Sequence, residues 1–203
     1  MDRRVDRNDR YLPPLRLEPS MYEVEVKVPA DLERVRDRLT ELEATSLGAV
    51  VQTDTYYDAP HRSFPETDEA LRIRRERPVD EQDPEAVVTY KGPLVDDESK
   101  TREEIETGLE DGQAFDAVLR NLGFDPAATV RKRRERFELG DFEGYTITCD
   151  AVDGVGEYVE VETDATDDDL ESAREGAFEV LERLGLEAEE TVRTSYLGLL
   201  LED

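Results

Sequence analysis

The chain has 203 residues, with 53 Asp and Glu against 26 Lys and Arg and a formal net charge of −27. That acidity argues against nonspecific binding to nucleic acid or anionic membrane. A lone cysteine, Cys149, excludes an intramolecular disulfide and a cysteine-based zinc site. No apolar run is long enough to span a bilayer, and no signal-peptide pattern is present, so the expectation is a cytoplasmic protein.

Two accounts of the acidity compete. One is disorder. The other is a folded protein of a salt-rich, halophilic cytoplasm, where repulsion between carboxylates is screened at short range. Apolar alternation persists through most of the chain and favours the second. So does the lysine usage: only Lys27, Lys91, Lys100 and Lys132 are present, and every other basic residue is Arg.

In chain order, residues 1–20 are Arg-rich and aperiodic and are expected to be a disordered extension, with the domain over 21–203. Met21–Val28 then alternates strictly. Tyr22, Val24, Val26 and Val28 fall on one side and Glu23, Glu25 and Lys27 on the other, as on a strand with one apolar and one charged face. Further strand-like runs are predicted at Val51–Asp58, Glu69–Glu76, Glu85–Gly92, Lys100–Thr107, Thr129–Leu139, Gly144–Val152 and Gly156–Thr163. Each is bounded by turn chemistry such as "DAPH", "KGPLVDD" and "DGVG". Helical spacing appears in "PADLERVRDRLTELEA", "EDGQAFDAVLRNLGF" and "ATDDDLESAREGAFEVLERLGL", and a short helix in "TSYLGLLLED" closes the chain. About eight strands with few helices predict an antiparallel sheet that closes or nearly closes, with helices on its outside. The apolar face of "YEVEVKV" would then be the outer one and the charged face the inner one.

The same pattern recurs. Arg72 and Arg74 alternate with Leu71 and Ile73; Lys91 shares a face with Val87 and Thr89; Lys100, Arg102, Glu104 and Glu106 lie opposite Ile105. Lys132, Arg134 and Arg136 share a face, Asp150 lies opposite Ile147 and Cys149, and Glu160 and Glu162 lie opposite Val159 and Val161. A single charged strand face is ordinarily a solvated one. Six such faces, mixed in sign and using the scarce lysines, are better explained by an anionic partner. Lys and Arg converging from several strands suit a polyphosphate. Glu23, Glu25, Asp150, Glu160 and Glu162 in one lumen would repel each other unless a hard cation joined them. Oxygen-only donors point to Mg2+ or Mn2+ rather than Zn2+. Carboxylates, basic residues and such a metal together define a phosphoryl or nucleotidyl transfer site. His61, the only histidine, falls in a loop, and no Walker phosphate loop is present.

The Glu-x-Glu-x-Lys of Glu23 to Lys27, followed in order by "YYDAP", "LRIRRE", "TYKGP", "TREEIE", "VRKRRERFEL", "CDAVDGVGEYVEVE" and a late "SY", resembles the CYTH superfamily of triphosphate tunnel enzymes. The resemblance covers Met21 to the end. It implies an α+β fold, an eight-stranded antiparallel barrel with helices packed outside. It implies metal-site carboxylates at Glu23, Glu25, Asp150, Glu160 and Glu162. It also implies a triphosphate cradle of Lys27, Arg72, Arg74, Lys91, Arg102, Lys132 and Arg134, and catalytic roles for Glu23, Glu25, Lys27 and Asp150. Glu104 matches an inward-facing family position. The implied substrate is ATP or another triphosphate, and a homodimer is plausible for the family. The leading reaction is cyclisation of ATP to cyclic AMP and pyrophosphate, as in class IV adenylyl cyclases. The alternatives are hydrolysis of tripolyphosphate, thiamine triphosphate or a nucleotide, and non-catalytic binding of polyphosphate or nucleotide.

Overall fold

A computed structural model describes residues 21–81, 83–95 and 100–202. The extension expected over residues 1–20 lies outside the described residues.

Eight strands form the body: β1 (Met21–Pro29), β2 (Thr45–Asp58), β3 (Ala70–Pro78), β4 (Glu85–Leu94), β5 (Arg102–Leu109), β6 (Asp125–Glu138), β7 (Thr146–Val152) and β8 (Gly156–Thr166). They close into a barrel in the order β1-β5-β4-β3-β2-β6-β7-β8. Every neighbouring pair is antiparallel. The closure and antiparallel order implied by the resemblance are thus observed.

Helices α1 (Leu32–Glu41), α2 (Phe64–Thr67), α3 (Gly112–Asn121), α4 (Leu170–Leu184) and α5 (Tyr196–Glu202) and a 3-10 turn at Ala188–Glu190 complete the described chain. Pro29 ends β1, and Asp31 caps α1 by accepting from the backbone N–H groups of Glu33 and Arg34. Asp111 caps α3 in the same way, through Gln113 and Ala114. Gly185 stops α4 in the left-handed region at φ 77°, where a glycine meets no Cβ penalty. Among the described residues no helix is long and apolar enough to cross a membrane.

The core lies outside the barrel wall, not within it. Val26, Val28, Ile147, Cys149, Val159 and Val161 pack under Leu32, Val35 and Leu39 of α1 and Ala177, Val180, Leu181 and Leu184 of α4. On the far side, α3 brings Phe115 and Leu119 against Tyr57 and Ile73. Burying one face of β1, β7 and β8 under α1 and α4 fixes their register, since a slip by one residue would turn the charged set into the core. The charged face of "YEVEVKV" therefore looks into the lumen.

Two strands begin well before their local pattern predicts. β2 begins at Thr45 rather than Val51, and β6 begins at Asp125 rather than Thr129. The added residues "TSLGAV" and "DPAA" contain Gly48, Pro126 and several small side chains, which are poor strand formers. Each is held by the partner strand, because β2 and β6 pair along nearly their whole lengths. The register shifts occur between Ser46 and Gly48 and between Tyr56 and Tyr57, the latter opposite Ala128 and Pro126. Glycine and proline are the residues a bulge tolerates. The brief α2 and the 3-10 turn have too few residues to show a period and are not foreseen by the sequence pattern.

Candidate active site

The lumen is a cavity of about 900 Å³. Its wall holds Glu23, Glu25, Lys27, Arg72, Arg74, Lys91, Arg102, Lys132, Arg134, Glu160 and Glu162. Asp150, fully buried, stands behind Lys132 and Arg134. The charges are not mixed at random but sorted by the strand order.

β1 lies between β5 and β8, so its polar face meets carboxylates on one side. Glu25 is opposite Glu162, and Lys27 is opposite Glu160. One carboxylate oxygen from each of Glu25, Glu160 and Glu162 lies within 4.8 Å of the others. Burial pushes the Glu162 carboxyl up to about 7; Arg134 opposes this, and Glu23, Glu160 and Glu25 add to it. Burial also acts against ionised Glu25, but Lys100, Lys27 and Lys91 overcome it and hold that carboxyl well below the usual range. Three converging acidic oxygens with neither histidine nor cysteine beside them fit a hard divalent cation.

Two other carboxylates are used differently. Asp150 accepts from Arg134 Nε at 2.8 Å, from Arg134 Nη2 at 2.6 Å and from Lys132 Nζ at 2.9 Å. Burial disfavours its charge, yet Arg134 and Lys132 prevail and hold the carboxyl far below the usual range. Glu23 sits 2.5 Å from Lys91 Nζ, and Lys91 also contacts Glu104 at 2.5 Å. Of the five carboxylates expected at a metal, the fold therefore gathers Glu25, Glu160 and Glu162 and puts Asp150 and Glu23 against cations.

The cationic side is equally organised. Arg134 spans both groups, paired with Asp150, hydrogen-bonded to Glu160 and 3.7 Å from Glu162. Arg72 and Arg74 converge on Asp54, Arg74 through a two-pronged contact at 2.8 and 2.7 Å and Arg72 at 3.4 Å. Arg102 donates to the Asp68 carbonyl at 2.8 Å. Lys27 donates to the Thr194 carbonyl at 2.7 Å and lies 3.9 Å from Glu160. Lys100 stands 3.9 Å from Glu25. Burial brings its ammonium down to about 7; Glu25 resists, and Lys27 and Arg102 add to the fall.

Three contributors received no role in the sequence reading, although Tyr196 belongs to the "SY" of the resemblance. Asp54 is 2% exposed and is the anchor of Arg72 and Arg74. Its signal was available, since Gln52, Asp54 and Tyr56 alternate along β2. Arg193 and Tyr196 reach the lumen from the C-terminal segment, where the sequence shows no strand period to reveal them. Tyr56 and Tyr57 both border the cavity, and the buried Tyr57 also packs under α3. His61 is exposed beside Phe124 and takes no part in the lumen.

A closed antiparallel barrel with a lumen of paired cations and clustered carboxylates defines a tunnel for a polyanion. Residues 21–196 match the CYTH domain, and the chain belongs to the CYTH family. MJ0240 of Methanocaldococcus jannaschii, provisionally named an adenylate cyclase, is 37% identical over 181 residues, covering 88% of this chain and 98% of that protein. The solved structure of PH1819 from Pyrococcus horikoshii OT3 is 38% identical, with a TM-score of 0.81 over 89% of this chain and 98% of that one. The fold is shared more distantly with HpAC1 from Hippeastrum, at 17% identity and a TM-score of 0.61 over 90% of this chain and 95% of that one. HpAC1 is described as a provisionally assigned adenylyl cyclase with a dominant triphosphatase activity.

Proposed function

We propose that the chain is a divalent-metal-dependent enzyme acting on a triphosphate held in the tunnel, and that the reaction is cyclisation of ATP to cyclic AMP and pyrophosphate. The observation that carries the reading is the sorting of the lumen. Glu25, Glu160 and Glu162 form one acidic cluster, and Lys27, Arg72, Lys91, Lys100, Arg102, Lys132 and Arg134 surround it.

Glu25, Glu160 and Glu162 would hold Mg2+ or Mn2+. Bound there, the cation supplies charge neutralisation at the reacting phosphorus and lowers the pKa of an oxygen nucleophile. The remaining work belongs to the chain. Arg134 and Lys132 are buried, Lys91 is half-buried, and carboxylates already orient all three, so they need little reorganisation to grip phosphate oxygens. Asp54 and Asp150 orient their cations from behind. In the cyclase reaction the ribose 3′-hydroxyl gives its proton to solvent, its oxygen bonds to the α-phosphorus, and the bond to pyrophosphate breaks, leaving charge that the basic wall stabilises. A binder of the bare polyanion would gain little from three clustered carboxylates.

Hydrolysis is the second reading, because the lumen is wide enough to admit water along with a triphosphate and the same fold serves a triphosphatase in HpAC1. The name given to MJ0240 favours cyclisation. Product analysis separates the two. Incubation with ATP and Mg2+ or Mn2+ is expected to yield cyclic AMP and pyrophosphate. Rapid orthophosphate release from tripolyphosphate with no cyclic AMP would replace cyclase by triphosphatase.

A further inference from the structure

Tyr196 opens α5 and is only 7% exposed. Its ring lies against two ammonium groups, with Lys27 Nζ 4.3 Å and Lys132 Nζ 4.8 Å from the centroid. Tyr158 meets it edge-on, the centroids 5.3 Å apart. The segment leading to it is tied to β1 in both directions. Val192 N–H donates to the Lys27 carbonyl at 2.7 Å, and Lys27 Nζ donates to the Thr194 carbonyl at 2.7 Å. The position of the ring is thus fixed by contacts that do not use its hydroxyl.

The hydroxyl is buried and finds no hydrogen-bond partner among the described residues. Buried phenols ordinarily have one, because an unsatisfied donor bears its whole desolvation cost. Tyr196 faces the lumen, with Glu160, Asp150, Arg134 and Glu25 near enough to act on it electrostatically. Burial, reinforced by Glu160 and Asp150, holds the phenol well above its ordinary range, so it remains a proton donor. Lys27 and Lys132 retain donor capacity as well, since each ammonium has three N–H groups and, among the described residues, hydrogen-bonds one acceptor, Thr194 or Asp150. Among the described residues none accepts from the hydroxyl, and an anionic oxygen beside the two ammonium groups would.

We propose that Tyr196 is a further substrate-contacting residue, its hydroxyl donating a hydrogen bond to a phosphoryl oxygen bound beside Lys27 and Lys132. The assignment rests on the triphosphate reading above and makes the C-terminal segment part of the binding site.

Tyr196→Phe keeps the ring and both ammonium contacts and deletes only the hydroxyl. Calorimetric titration of wild type and variant with tripolyphosphate and Mg2+ is expected to show binding weakened about 10-fold or more, the loss of one hydrogen bond to a charged group. The melting temperature without ligand is expected to hold or rise, because an unsatisfied buried group has been removed. Equal affinities overturn the assignment while leaving the triphosphate site in place. A lower unliganded melting temperature also overturns it, by placing the hydroxyl in a protein contact. Failure of the wild-type chain to bind tripolyphosphate overturns the triphosphate reading and this assignment together.

Discussion

Arg134 and Asp150 face each other across the β6–β7 pair and make two parallel contacts, Nε to Oδ1 at 2.8 Å and Nη2 to Oδ2 at 2.6 Å. Both are buried, and Lys132 closes on the same carboxylate. Asp150 thereby holds two cations at the lumen wall. Asp150→Asn would remove the counter-charge of Lys132 and the two-pronged partner of Arg134, which keeps Glu160 and Glu162. The expected cost is about 3–5 kcal/mol, the usual penalty for removing one partner of a buried pair. Urea unfolding measures it; a cost below about 1 kcal/mol would show that the cations relax into other partners.

Glu25→Gln keeps the shape of the side chain but removes one anionic oxygen from the cluster with Glu160 and Glu162. Turnover is expected to fall by orders of magnitude with little change in melting temperature. Calorimetric titration with Mg2+ should show a parallel loss of metal affinity. Near-native turnover would remove Glu25 from the site.

Glu162 is expected to make metal binding depend on pH. Its carboxyl lies near 7 in the folded chain, above the ordinary value of 4.5, chiefly through burial. A cation must displace that proton, so affinity for Mg2+ is expected to fall by roughly tenfold per pH unit below about 7 and to level off above it. For the metal-free chain the same group binds more protons folded than unfolded between these values. Its contribution to stability is therefore full below the ordinary carboxylate value and is lost as pH rises through about 7. Titrations between about pH 5 and about pH 8 test the first point; a flat profile would place Glu162 away from the ion.

The acidic surface predicts a response to salt. At molar ionic strength the screening length is about 3 Å, so repulsion among exposed carboxylates is quenched. Thermal stability is expected to rise from dilute buffer to molar KCl. An equally stable protein in dilute buffer would argue against salt adaptation.

The strict alternation of "YEVEVKV" by itself determined that Glu23, Glu25 and Lys27 share one strand face, because successive side chains must point to opposite sides. The same rule put Arg72 with Arg74, Lys132 with Arg134, and Glu160 with Glu162. The ordered set of such faces, with its resemblance, carried closure of the sheet and the character of its lumen. What period two cannot say is which face lies beside which. Only the strand order, with β1 between β5 and β8, brought Glu25 to Glu160 and Glu162 while sending Glu23 to Lys91 and Asp150 to Arg134. Asp54 became the anchor of two arginines because β2 pairs with β3 in one particular register. Tyr196 reached Lys27 and Lys132 through packing of the C-terminal segment across the barrel, a contact between residues far apart in the chain. Local sequence sets the direction of a side chain; long-range pairing sets its neighbours, and in this lumen the neighbours decide which carboxylates are free for a cation.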